Sequence, residues 1–267
     1  MSASLTPNIS KFDEEFDARK LSQYRLTIQF ALDGLSFALL DTESHRLIAL
    51  EGYQSELLAD SNNLFRILER ALESKGLNDK AFHSVACIVD NRFNTLVPIP
   101  LFNEADKKQY LDFAFQVPES YIILSELLVS AQCYNVFAFP KVLQDKVLSK
   151  WKEAKITHTS SVFIESLLQK RENQGVFVNV RSHDFDMVIL KEGKLHFFNN
   201  FKYNTKEDFA YFLLFAMEQN GVSGQDSPIT LVGLIRPDSE IVDLCKRYVK
   251  DIRFVEQNYY IHYQALR

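Results

Sequence analysis

Two short stretches hold most of the groups in this chain that could do chemistry. In "DGLS", Asp33, Gly34 and Ser36 bring a carboxylate, a backbone unit free of Cβ and a hydroxyl within four residues. In "RSHDF", Arg181, Ser182, His183 and Asp184 place a guanidinium, a hydroxyl, an imidazole and a carboxylate side by side. The chemistries to weigh are phosphate binding, metal ligation and nucleophilic hydrolysis. The six histidines form no H-x-x-x-H or H-E-x-x-H pattern, which argues against a metal site. No G-x-S-x-G elbow and no Cys–His pairing occurs, so hydrolysis by an activated nucleophile has no support.

Both stretches sit at bends between alternating runs. "LTIQFALDGLSFALLD" (26–41) places Leu26, Ile28 and Phe30 on one face and bends at Asp33-Gly34, the dipeptide expected of a two-residue hairpin turn. "GVFVNVRSHDFDMVIL" (175–190) has the same form and bends through Ser182-His183-Asp184 without a glycine. The plainer reading of Arg181, His183, Asp184 and Asp186 is a solvated turn with local ion pairs, and His158 reads as a surface or capping residue. Shifting the numbering by 150 brings Leu26, Ile28 and Phe30 onto Val176, Val178 and Val180, and Tyr53 onto Tyr203. In each copy a third strand follows the hairpin, then a helix ending at glycine, then a strand ("HSVACIVDN" and "PITLVGLI"). Thr205 with Asp208 reads as an N-cap pair, and Phe209, Phe212, Leu213 and Ala216 form the stripe expected to face the core. A repeated order of strands and helix predicts a duplicated domain. The expected organisation is an extension over 1–19, a first half over 20–173 with an inserted subdomain near 98–140, and a second half over 174–267.

Composition bounds the function. The 267 residues are 46% hydrophobic and 24% charged, as in globular proteins generally. A net charge of -5 argues against nucleic acid as a partner. Three widely spaced cysteines fit buried thiols in a reducing cytoplasm better than a disulfide frame. The N-terminus lacks the apolar segment of a signal peptide, and the most apolar window, 121–139, is broken by Glu126, Gln132 and Asn135, so no membrane span is expected.

The order of elements resembles the actin-like ATPase superfamily, which duplicates a ribonuclease H-like unit. More closely, "FNTLVPIPLFNEADKKQYLDFAF" and "VFAFPKVL" followed by "ITHTSSVFIESLL" look like a family of uncharacterised bacterial proteins, a domain of unknown function. The resemblance implies an α/β fold of two ribonuclease H-like halves, mixed sheets flanked by helices. Active members of the superfamily hold nucleotide phosphates in glycine-rich hairpins, where backbone N–H groups approach the oxygens and a Cβ would obstruct them. The resemblance therefore makes Asp33, Gly34 and Ser36 the first phosphate segment and Arg181, Ser182, His183 and Asp184 the second, with Gly233 near the adenosine. These motifs are degenerate: the first departs from the usual spacing, and the second lacks its glycines and has bulky Phe185 beside the turn. Only eight glycines occur in the chain, too few for the usual loops. A two-metal nuclease would need a carboxylate inside the first strand, where 26–30 read Leu-Thr-Ile-Gln-Phe. Three readings remain: a non-catalytic scaffold with a protein partner, an ATP-binding switch or weak ATPase using the inter-domain cleft with magnesium, and an enzyme acting on a small molecule. The first is preferred, because a fold does not by itself carry an activity.

Overall fold

The structure, a computed structural model, describes residues 6–31, 34–54, 61–78, 81–170, 172 and 174–255. The described chain divides into two compact units, one built on residues up to Leu127 with Cys133–Val162, the other on Leu128–Gln132 and the chain from Phe163 to Val255.

In the first unit, β1 (Ile9–Phe12) comes from the segment expected as an extension. The meander β2 (Tyr24–Ala31), β3 (Gly34–Asp41) and β4 (Leu47–Gln54) follows. β1 adds antiparallel to the outer edge of β4. Helix α1 (Ser61–Ser74) buries Leu64, Phe65, Leu68, Ala71 and Leu72, one stripe of a 3.6-residue period. It stops at Gly76, whose φ of 69° lets the Leu77 N–H donate back to the Leu72 carbonyl at 2.8 Å. β5 (Ser84–Asp90) then lies parallel to β2. The inserted segment forms a sheet of its own from β6 (Asn94–Pro98), α2 (Lys107–Asp112) covering it, β7 (Tyr121–Leu128) and β8 (Cys133–Pro140), in the order β6-β8-β7. Its small core is Val97, Leu111, Val136 and Ala138. Helix α3 (Lys141–Lys150) starts directly after Pro140, and β9 (Lys155–His158) completes the main sheet beside β5. That sheet runs β1-β4-β3-β2-β5-β9.

Helix α4 (Thr159–Gln169) leads to the second meander, β10 (Gly175–Val180), β11 (Asp184–Lys191) and β12 (Lys194–Lys202). Helix α5 (Lys206–Gln219) starts at the expected capping box between Thr205 and Asp208. β13 (Ile229–Gly233) pairs parallel with β10, and α6 (Glu240–Cys245) leads to β14 (Ile252–Phe254), parallel to β13. The order is β12-β11-β10-β13-β14, that of the first sheet without its edge strand β1.

The two meanders share their register residue for residue. Leu26 faces Leu39 and Ile28 faces Phe37, as Val176 faces Ile189 and Val178 faces Met187. Even the bulge recurs, between Leu39 and Leu40 and between Ile189 and Leu190. A bulge inserts one residue into one strand only, so its repetition at the same place marks equivalent strands. One equivalence differs from the simple shift: Tyr53 corresponds to Phe201 rather than Tyr203. The cause is the second turn, where Glu192 and Gly193 both take positive φ (52° and 69°) in a two-residue turn, shorter than the "DTESH" turn. Each sheet has its own core, one around Leu26, Ile28, Phe37 and Leu68, the other around Val178, Phe185, Phe209 and Leu213. The three cysteines are buried and form no disulfide among the described residues, and burial pushes Cys245 up to about 11.

Candidate functional site

At the first hairpin Gly34, expected in the turn, lies in a strand instead. Ala31 pairs with Gly34, so Gly34 belongs to β3; Asp33 lies outside the described residues. A Cβ on Gly34 would lie 2.2 Å from the Tyr53 carbonyl oxygen. The glycine thus serves the close approach of β3 to β4. Ser36 sits further along β3, opposite Gln29, whose amide donates to Asp90 at 2.7 Å.

The second hairpin carries ion pairs, but not solvated ones. The Arg181 Nε donates to the Asp184 carboxylate, and its two terminal nitrogens donate to Asp186 at 2.8 and 2.9 Å. Asp186 is fully buried. Asn200 donates to Asp186 at 3.0 Å from β12, and the Tyr203 hydroxyl donates to the Arg181 carbonyl at 2.6 Å. Burial and the charge of Asp184 raise the Tyr203 pKa. His183 is exposed, and Ser182 shares the turn with it. Phe185 points away from the turn into the core, 4.5 Å from the Phe209 ring, so its bulk does not shape the hairpin tip as expected.

Through the shared register, Arg181, Asp184 and Asp186 occupy the places of Ala31, Gly34 and Ser36. Where the first hairpin has three small side chains, the second has a guanidinium closed between two carboxylates. Arg181 is a cation whose forked donors are already turned onto anions of its own hairpin. Gly233 is likewise explained by packing. Its φ is 89°, and a Cβ there would meet the Val180 carbonyl oxygen at 2.2 Å, beside the bond from the Leu234 N–H to the same oxygen at 2.7 Å.

A polar network that the sequence reading missed lies at the carboxyl ends of β5 and β9, the end of an open sheet where ligands of α/β proteins bind. His158 is fully buried, not a surface residue. Its Nδ1 accepts from the Ser160 N–H at 3.1 Å, so Nε2 carries the proton and donates to the Asn91 carbonyl at 3.0 Å. Both ring nitrogens are thus engaged by the backbone. Glu126 accepts from the Thr157 hydroxyl at 2.7 Å and the His158 N–H at 2.9 Å. Burial raises its pKa, against the lowering by hydrogen bonds from Ser161, His158 and Thr157 and by the Lys155 charge. Asn135 links the network to Ser161 at 2.7 Å and to Asn94 at 3.2 Å. The only hint in the sequence was the density of Asn, Ser and Thr around otherwise apolar runs. Among the described residues no group of three or more His, Cys, Asp or Glu could hold a metal, and no helix is long and apolar enough to cross a membrane.

Comparison with solved structures gives the fold. A Bacteroides thetaiotaomicron protein with an actin-like ATPase fold and unknown function superposes with a TM-score of 0.84 at 19% identity, covering 94% of this chain and 99% of that one. The PilM-PilN type IV pilus biogenesis complex matches at 0.53 and 13% identity, covering 89% of each chain. The activator of 2-hydroxyisocaproyl-CoA dehydratase from Clostridium difficile, with bound ADPNP, matches at 0.50 and 10% identity, covering 91% and 92%. The chain has the actin-like ATPase fold. A search of curated proteins found no match. The family model described as "Protein of unknown function (DUF3822)" covers residues 13–252, from the turn after β1 into β14, and the chain belongs to that family.

Proposed function

We propose that the protein is a non-catalytic actin-like scaffold that acts in the cytoplasm by binding another protein, with halves at 20–173 and 174–267. The observation that carries this reading is the closure of Arg181 between Asp184 and Asp186 in the second hairpin. Two carboxylates stand where a phosphate-binding loop would need backbone donors, and they would repel the anion. Neither Gly34 nor Gly233 offers a spare glycine, since each is required by a neighbouring strand. The PilM-PilN neighbour, a complex of proteins, supports a protein partner. The ADPNP-bound neighbour favours the competing reading, a nucleotide switch using Asp33, Gly34, Ser36, Arg181, Ser182, His183, Asp184 and Gly233.

Thermal unfolding with millimolar ATP and magnesium separates the two. Ligand at about 100 times Kd would stabilise the fold by roughly 2.7 kcal/mol, a rise of several degrees in Tm. The scaffold reading expects no shift and no turnover above background. A saturable shift abolished by Asp33→Ala would replace it with the switch.

A further inference from the structure

The duplication supplies an internal comparison. In the first unit the outer edge of β4 is covered by β1: the Asn8 N–H donates to the Gly52 carbonyl and the Asp13 N–H to the Ile48 carbonyl, each at 2.8 Å. Ser10 donates to Glu51 at 3.0 Å, and Arg46, just before β4, pairs with Asp13 and Glu15 at 2.9 and 3.0 Å. In the second unit the equivalent strand is β12, and among the described residues it is the edge of its sheet. The shared register maps Ala49, Leu50, Glu51 and Gly52 onto Phe197, Phe198, Asn199 and Asn200. It maps Arg46 onto Lys194, which is exposed and forms no ion pair among the described residues. The second unit therefore repeats the edge, the bulge and the cation of a strand receptor, and no strand among the described residues occupies it.

Exposed edges are normally blunted by charge or proline, because their unpaired N–H and C=O groups template another chain. β12 is nine residues long, and between Lys194 and Lys202 it reads Leu-His-Phe-Phe-Asn-Asn-Phe. By the register, Phe198 and Asn200 turn their backbone groups outward, as Leu50 and Gly52 do toward β1.

We propose that the outer edge of β12 docks an extended segment of a partner protein, antiparallel, with apolar residues followed closely by carboxylates that reach Lys194. This is strand addition, in which main-chain bonds supply affinity and flanking side chains set specificity. The carboxylates are required by the exposed lysine at the end where β1 places Asp13 and Glu15. A partner, rather than a second copy, is the occupant because each copy's own strand of this chemistry is held on β4. The proposal rests on reading the protein as a protein-binding scaffold and names its surface.

The test uses the intact chain and a synthetic peptide of residues 7–17, PNISKFDEEFD, as the strand probe. Binding should be saturable and should slow hydrogen exchange at the Phe198 and Asn200 amides. Lys194→Glu, on the surface and harmless to the fold, should weaken binding roughly three- to tenfold. A peptide with lysines in place of Asp13 and Glu15 should recover affinity for that variant. Absence of binding, equal affinity for Lys194→Glu, or protection at Leu50 and Gly52 instead would overturn the proposal. Protection of Phe198 and Asn200 that rises with protein concentration without peptide would overturn it in favour of a second copy. Nucleotide binding in the separate ATP titration would end the scaffold reading while leaving the peptide result intact.

Discussion

Arg181 is held at 13% side-chain exposure between two carboxylates, one of them with none. Removing one partner of such a pair leaves uncompensated buried charge, so Arg181→Ala should cost about 3–5 kcal/mol in urea unfolding. A loss below 1 kcal/mol would mean that the hairpin holds its carboxylates without the guanidinium. The spacing of Arg181, Asp184 and Asp186 was legible in the sequence, but their burial was not. It depends on Asn200 in the third strand and Tyr203 just after it, which close the cluster from the side. Glu126 gives a pH-dependent case. Its folded pKa is raised above the ordinary 4.5, so the folded state binds the proton more readily than the unfolded chain. Stability from this group is therefore present at low pH and is lost as pH rises above the unfolded value toward the folded one. Unfolding measured from about pH 4 to pH 8 should show Glu126→Gln gaining on the parent as pH rises. A constant difference would place the carboxyl in contact with water.

At the scale of elements, periodicity located α5 and its core-facing stripe, one position of which is only part-buried. Phe209, Leu213, Ala216 and Met217 are buried, whereas Phe212 lies on the flank and stacks on Phe201 at 5.5 Å. Both phenylalanines satisfy the helical stripe, and only the position of β12 decides which goes under it. Phe209→Ala should accordingly destabilise by roughly 3–5 kcal/mol, and Phe212→Ala by clearly less. Equal losses would show Phe212 to be as deeply packed as Phe209. Tyr211 and Phe215 are exposed, as their place off the stripe implied, and stack on each other at 5.8 Å. β1 escaped notice for a different reason. Four residues, Ile-Ser-Lys-Phe, carry too short a pattern to read, and the partner strand is about forty positions away in sequence. The inserted sheet was easier, because β7 and β8 are eight residues each and strongly apolar.

For the whole molecule, the duplication was legible because core positions tolerate only apolar side chains, and two meanders of one register repeat them at one spacing. What the spacing could not show is where the halves differ: the shorter second turn, the salt-bridged second hairpin and the added strand that, among the described residues, only the first sheet has. That last difference can be tested directly. Removing residues 1–12 deletes β1, the Ser10 bond to buried Glu51 and the Phe12 ring that packs 5.2 Å from Phe16. The lost apolar contact and the weakened solvation of a buried carboxylate together predict a loss of roughly 2–4 kcal/mol. Hydrogen exchange should quicken at Leu50 and Gly52, whose outward groups β1 had covered, and stay unchanged at Phe198 and Asn200, which have no such cover to lose. Adding the 7–17 peptide at about 100 times its Kd should then return about 2.7 kcal/mol by mass action. A truncated chain as stable as the parent would show that β1 rests on the first sheet without supporting it.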